Sequence, residues 1–220
     1  MIKSVIWNSM VDYPKDISTV LFTGKCNFDC EFCYNQKLLK LPDLNFDKDI
    51  MPKLLQRKSF IDTVVITGGE CTLESDFDDI VDKLYKNGFK VVIHTNGMQY
   101  DAVERNIDKL TYVAIDYKTS DAKYNLITRR KIDIDIIKKT IKFVIDSGAD
   151  YEVRTTVYPK YVNVDDCVKI ANMLKGLGAK KYFLQQYKIT EDTPQITPYD
   201  DEYMKNLVEK CSEIIPTILK

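Results

Sequence analysis

Six short apolar runs, separated by amphipathic stretches, constrain the fold of this chain more than any other feature. The runs are Ser18–Thr23 (STVLFT), Thr63–Thr67 (TVVIT), Lys90–Thr95 (KVVIHT), Tyr112–Tyr117 (YVAIDY), Tyr151–Val157 (YEVRTTV) and Lys181–Tyr187 (KYFLQQY). They are rich in β-branched and aromatic residues, the composition of buried strands. Helical periodicity lies between them. Phe77, Ile80, Val81, Leu84 and Tyr85 share one face behind an N-cap at Ser75, with Gly88 past the end. Ile136, Ile137, Ile141, Val144 and Ile145 form a second stripe closed by Gly148, and Val164, Val168, Ala171 and Leu174 a third closed by Gly178. A weaker helix spans about Asp49–Lys58, with Pro52 in its first turn, and a short one about Ala102–Leu110.

Strand–helix alternation predicts a parallel sheet with right-handed crossovers. Six units are too few for a closed eight-stranded barrel. The expected fold is therefore α/β, an open partial (β/α)6 barrel, in which ligands sit at the carboxyl ends of the strands. The 220 residues read as one domain, with a core of about residues 12–190 and a short N-terminal extension. A C-terminal helix is expected over Tyr199–Lys220, where Tyr203, Leu207, Cys211 and Ile214 recur at helical spacing, a stripe for packing on the core or, as the lesser reading, for docking a partner. With a net charge of −1 and no basic face, nucleic-acid binding is not expected. No apolar run is long enough to span a bilayer, and MIKSVIWNSM lacks the apolar core of a secretory signal, so the expected compartment is a reducing cytoplasm.

The first strand runs into CNFDCEFC, which places Cys26, Cys30 and Cys33 at C-x3-C-x2-C spacing. Disulfides are disfavoured without a secretory signal. A zinc site normally takes four ligands in two pairs, but His94 lies far along the chain and Cys71, Cys167 and Cys211 stand apart. Three close thiolates can instead hold three corners of a [4Fe–4S] cube. Electron-transfer clusters use four cysteines, so one iron would stay open to bind a small molecule.

The other strands end in polar residues. Strand two ends Gly68-Gly69-Glu70, where two glycines admit close backbone approach to a ligand and Glu70 could meet an ammonium; alone, the segment is a turn with a solvated acid. Strand three ends His94-Thr95-Asn96-Gly97, where an Asn-Gly turn is the simple explanation and His94 reads as structural. Strand four ends Asp116-Tyr117-Lys118, with Asp116 and Lys118 on one face, as an ion pair or as ligand contacts. Arg154 inside an apolar strand needs a partner or a ligand. One of Gln185 and Gln186 faces the interior, and periodicity does not say which. Phe32 and Tyr34 flank the last cysteine of the triad, as packing or as a stacking surface.

The cysteine spacing, with Phe32 before the last cysteine, resembles the signature of the radical S-adenosylmethionine (SAM) enzymes. From about Asp12 to Lys188 the chain also resembles the activating protein of anaerobic ribonucleoside-triphosphate reductase. VDYP…STVLFTGKCNFDCEFCYN is similar to that family's DYPG…STVLFTQGCNLRCPYCHN, and YVAIDYK, YEVRTTVYP and FLQQYK are similar to its strand motifs. Lys15 after Pro14, Lys25 before the first cysteine and His94 depart from the family's pattern. The resemblance implies the partial barrel and a cluster on Cys26, Cys30 and Cys33, with SAM on the open iron. It implies contact of Gly68, Gly69 and Glu70 with the SAM amino group, of Asp116, Lys118 and Arg154 with its charged and ribose groups, and of Gln185 or Gln186, Phe32, Thr95 and Asn96 with the remainder. Tyr34 is grouped with Phe32 in that set. In relatives an acid at the position of His94 helps hold a monovalent cation, so such a site is in doubt here.

The implied activity begins with reduction of the cluster by flavodoxin or ferredoxin. Reductive cleavage of SAM to methionine and a 5′-deoxyadenosyl radical follows, and then hydrogen abstraction from a glycine of a partner reductase. A radical SAM enzyme acting on a small molecule, such as 7-carboxy-7-deazaguanine synthase, is the alternative. A non-catalytic iron–sulfur module has no use for the polar strand ends.

Overall fold

A computed structural model describes residues 2–220, the Leu39 side chain aside. The fold is α/β, with a mostly parallel sheet of eight strands in chain order: β1 (Ile2–Ser9), β2 (Ser18–Thr23), β3 (Thr63–Gly68), β4 (Lys90–Thr95), β5 (Leu110–Asp116), β6 (Asp150–Val157), β7 (Tyr182–Gln186) and β8 (Thr217–Leu219). The helices are α1 (Met51–Arg57), α2 (Phe77–Lys86), α3 (Tyr100–Asn106), α4 (Tyr124–Thr128), α5 (Ile134–Ser147), α6 (Val164–Gly176) and α7 (Asp201–Ser212). All six expected strands are present, β2 and β4 with the expected ends. Among the described residues no helix is long and apolar enough to cross a membrane.

The strands beyond six carried weak signals. β1 runs antiparallel to β2 with two irregularities in its ladder, and most of its residues are partly exposed, which blurs period-two patterning. β8 is three residues long and pairs with β7. The C-terminal segment is therefore a shorter helix than expected, capped by the Asp200 carboxylate on the Tyr203 N–H and followed by a strand. In α2 the N-cap is Asp76 rather than Ser75. The buried stripe of α6 is Cys167, Ile170, Ala171 and Leu174, whereas Val164 and Val168 are half-buried. Asn163 and Asp166 form a capping box there, which sets the rotation of the first turn.

The chain divides into two compact units. The first comprises the chain up to Asn27, Asn35–Thr95 and Gln99–Ala114; the second comprises Phe28–Tyr34, Asn96–Met98 and Ile115–Lys220. In the first unit Val20 pairs with Val65 and Val65 with Val92 across parallel ladders, which sets the three at one level of the sheet. Tyr13, Tyr112 and Ala114 complete that layer and Phe22 packs on it. Each such buried aliphatic side chain contributes about 1.5–3 kcal/mol. The polar ends of β2–β4 are thus raised on a rigid apolar floor.

In the second unit Arg154 pairs with Phe183 and Thr156 with Gln185. Alternation then puts Glu152, Arg154, Thr156, Phe183 and Gln185 on one face. Val153, Val157, Tyr182 and Leu184 are buried on the other, and Gln186 shares their face. The register settles which glutamine accompanies Arg154: it is Gln185.

Candidate functional site

In the first unit β2 leads into Gly24, Lys25 and Cys26, and Cys26 is exposed. Gly68 ends β3 at φ 112°, a left-handed conformation, and a β-carbon there would lie 2.4 Å from the Thr23 nitrogen. Only glycine fits this close approach of β3 to β2. The Gly69 N–H donates to the Thr23 carbonyl (3.1 Å) and the Glu70 N–H to the Lys25 carbonyl (2.5 Å). The Gly-Gly-Glu turn is therefore laced to the strand end that feeds the cysteine loop.

Glu70 is fully buried. Its Oε1 accepts from the Thr72 N–H (3.3 Å), the Thr72 hydroxyl (2.5 Å) and the Thr95 hydroxyl (2.7 Å). Thr95 thus orients Glu70, a role its place in the sequence did not reveal. His94 is a structural residue: its Nε2 bonds the Asp12 carbonyl at 2.9 Å and holds the VDYP segment. Glu74, which sequence reasoning missed, accepts from the Gly24 N–H (3.1 Å) and the Lys25 N–H (2.9 Å).

In the second unit the Cys33 N–H donates to the Cys30 carbonyl at 3.1 Å, closing a turn that brings the two residues together. Cys30 is buried and Cys33 half-buried. Phe32 stacks on Tyr158 at 5.0 Å, and Tyr34 on Tyr187 at 6.2 Å while its hydroxyl accepts from the Lys188 N–H. Both rings are thus anchored from behind by tyrosines. Asn96 accepts from the Met98 N–H (3.0 Å), the turn expected of Asn-Gly.

Glu31, between the last two cysteines of the triad, is the second residue missed. Its carboxylate accepts from the Tyr158 hydroxyl (2.5 Å), Lys160 (2.8 Å) and Arg129 (2.5 Å). Burial pushes its carboxyl up, but these donors outweigh it and hold the pKa at about 2 against an ordinary 4.5. The resulting stability is present above about pH 4.5 and is lost as pH falls toward 2. Because Arg129 and Lys160 are about half exposed, the expected contribution is about 2 kcal/mol. E31Q should lower the unfolding free energy by about that amount at neutral pH, and the gap to wild type should narrow below about pH 4.5 and close as pH falls to about 2. A constant gap across that range would place the loss elsewhere.

A ladder of charges runs along the Arg154 face. Asp116 accepts from Lys118 (3.0 Å) and from Arg154 Nε; Arg154 also meets Glu152 (3.4 Å), which bonds Lys220 in turn. Burial raises the Asp116 carboxyl, yet the Arg154 and Lys118 cations hold it well below the usual carboxylate range. Burial lowers the Lys118 ammonium, but Asp116 and Cys30 beside it bring it above the ordinary lysine range. The structure thus brings Asp116, Lys118 and Arg154 together as an ion-pair cluster, with Gln185 on the Arg154 face of the sheet. Gln186 is not in this group: its amide donates to the Tyr199 carbonyl (2.7 Å) and secures the approach to α7.

The donor chemistry suits an iron–sulfur cluster. Among the described residues all six cysteines are thiols rather than disulfides, and sulfur is the ligand such clusters take. Within the first unit a buried acid at a glycine-lined strand end suits an ammonium, and within the second the cations around Asp116 suit an anionic group.

Comparison with known proteins agrees. A profile of the Radical SAM superfamily matches residues 20–174. The "Putative glycyl-radical enzyme activating enzyme" of Methanocaldococcus jannaschii is 30% identical, covering 97% of this chain and 88% of the relative. The 7-carboxy-7-deazaguanine synthase of Rickettsia prowazekii is 32% identical, covering 63% of this chain and 56% of that protein. In fold, the chain is similar to Streptococcus suis SuiB bound to S-adenosylmethionine, with TM-score 0.72 and 18% identity over 91% of this chain. It spans about half (49%) of SuiB's length.

Proposed function

The chain belongs to the radical SAM superfamily, whose cofactors are a [4Fe–4S] cluster and SAM, and on that premise we propose that it activates a glycyl radical enzyme, an anaerobic ribonucleoside-triphosphate reductase. The observation that carries this reading is the 30% identity, over nearly the whole chain, to a relative named for glycyl-radical enzyme activation. The VDYP and STVLFT…CYN motifs support the reductase as partner.

Cys26, Cys30 and Cys33 would hold the cluster. When bound, cluster and SAM supply reductive cleavage of the sulfonium bond and a radical able to take hydrogen from a glycine α-carbon. Glu70, oriented by Thr72 and Thr95, would receive the SAM ammonium beside Gly68 and Gly69. Asp116 fixes Lys118 and Arg154; the two cations would meet the SAM carboxylate, and Asp116 would present acceptor capacity to its hydroxyls. Gln185, Phe32, Tyr34 and Asn96 would contribute polar and aromatic contacts to the remainder. No residue of the chain is asked to carry a proton, because hydrogen-atom transfer to a SAM-derived radical needs no protein acid or base. Flavodoxin or ferredoxin in a reducing cytoplasm would supply the electron.

The alternative, turnover of a small molecule, is favoured by the identity to 7-carboxy-7-deazaguanine synthase. One experiment decides between them. The reconstituted protein is reduced anaerobically with SAM, with and without a candidate reductase. A glycyl radical EPR doublet on the partner is expected; SAM cleavage with small-molecule turnover and no partner radical would sink the activase reading.

A further inference from the structure

Lys25, one of the departures from the family pattern, occupies a junction. Its N–H donates to Glu74 Oε1 (2.9 Å), its carbonyl accepts from the Glu70 N–H (2.5 Å), and its ammonium lies 3.7 Å from Glu74 Oε2. The same Glu74 Oε1 also accepts from the Gly24 N–H (3.1 Å). The Glu74 side chain is 2% exposed, whereas that of Lys25 is 55% exposed. The carboxylate is therefore buried, with Oε1 bonded to two backbone N–H groups and Oε2 facing the Lys25 ammonium, all within two residues of Cys26. Burying a carboxylate is costly unless hydrogen bonds and a counter-charge compensate, and here Gly24 and Lys25, at the entrance of the cysteine loop, supply both.

Glu74 also sits one turn past Glu70, on the segment that caps through Glu70 onto the Thr72 N–H. Two acids from one short segment thus act on one point of the chain, Glu70 through its backbone N–H and Glu74 through its side chain. We propose that Glu74 is a positioning residue that locks the Gly24–Lys25 backbone and sets Cys26 in a fixed relation to Glu70. The cluster ligand and the expected SAM-ammonium contact are then held in one frame. The proposal rests on the superfamily's cofactors and not on the identity of any partner. Lys25 is the surface counter-ion of this clamp, and its side chain is dispensable because the two N–H bonds come from the backbone.

The test compares Glu74→Gln, Glu74→Met and Lys25→Met after anaerobic reconstitution with iron and sulfide. The Gln amide oxygen can still accept both N–H groups, whereas Met fills the volume and accepts neither. Against EDTA, E74M should hold iron about tenfold less tightly than wild type, the scale on which outer partners of metal ligands act. E74Q and K25M should hold it as wild type does. In the reduced cluster, the EPR change that SAM produces in wild type should be diminished in E74M and retained in E74Q. The proposal is overturned if E74M, with an apo-protein Tm within about 5 °C of wild type, matches wild type in iron retention and in the SAM-dependent spectrum. It is equally overturned if E74Q loses iron as E74M does. Should E74M not fold, E74A takes its place in the same comparison. A wild-type protein that binds no iron would instead fail the cofactor assignment itself.

Discussion

Replacing Cys26, Cys30 or Cys33 with alanine is expected to leave a folded protein that neither retains a [4Fe–4S] cluster nor cleaves SAM. With three protein thiolates proposed as ligands, each would hold one corner of the cluster, and losing one would leave two. The fold should tolerate the change. Cys26 is exposed and Cys33 half-buried, and truncating buried Cys30 removes one sulfur, at a cost of about 1 kcal/mol. The remaining cysteines are the control. Burial pushes the thiol of Cys71 well up, does the same to Cys167, and raises Cys211 to about 12. The thiolate is the metal ligand, so these protonated, packed thiols are poor substitutes for the triad. C167A and C211A should therefore keep full iron and sulfide content, while C26A, C30A and C33A lose it. Iron and sulfide per chain, together with methionine and 5′-deoxyadenosine released under dithionite, provide the readout. C26A that retains both cluster and cleavage would refute the triad.

The contrast between these cysteines and the two glutamates the sequence did not reveal shows what a chain like this exposes to reading. Cys26, Cys30 and Cys33 lie within one loop, and Gly68–Glu70, Asp116 and Lys118 each follow a strand whose apolar pattern announces its end. Local spacing was sufficient to single them out as candidates. Glu74 acts on Gly24, 50 positions earlier, and Glu31 on Tyr158, 127 positions later. Neither distance leaves a periodic mark, because such contacts are fixed by how strands stack rather than by neighbours in sequence. Gln185 and Gln186 lie between these cases. Alternation says that they face opposite ways, but only pairing with Thr156 and Val157 assigns the faces. β8 escaped for a simpler reason, since three residues cannot display a period.

Asp116→Ala should be the most destabilising single change on the Arg154 face. Asp116 stands between Lys118 and Arg154, whose side chains are 18% and 12% exposed. Its removal leaves two partly buried cations side by side with their shared anion gone. Breaking a buried pair from one side costs about 3–5 kcal/mol, and the partial exposure here sets the expectation at the lower end, about 3 kcal/mol. Two features separate this from ordinary packing loss. Asp116 titrates well below the ordinary 3.8, so its contribution is present at pH values above that and fades as pH falls below it. The difference between wild type and D116A should accordingly shrink in acid. The double variant Asp116→Leu with Arg154→Met removes anion and cation together, and should recover much of the loss. Urea unfolding at neutral and acid pH measures both effects, and SAM binding to the reconstituted protein measures the functional cost. If D116A unfolds within about 0.5 kcal/mol of wild type, the ladder is a surface ion pair and its arrangement says nothing about ligand binding. If stability falls as expected while SAM affinity is unchanged, the residues serve the sheet alone. Loss of both would tie the charge order along β5 and β6 to the cofactor it is proposed to hold.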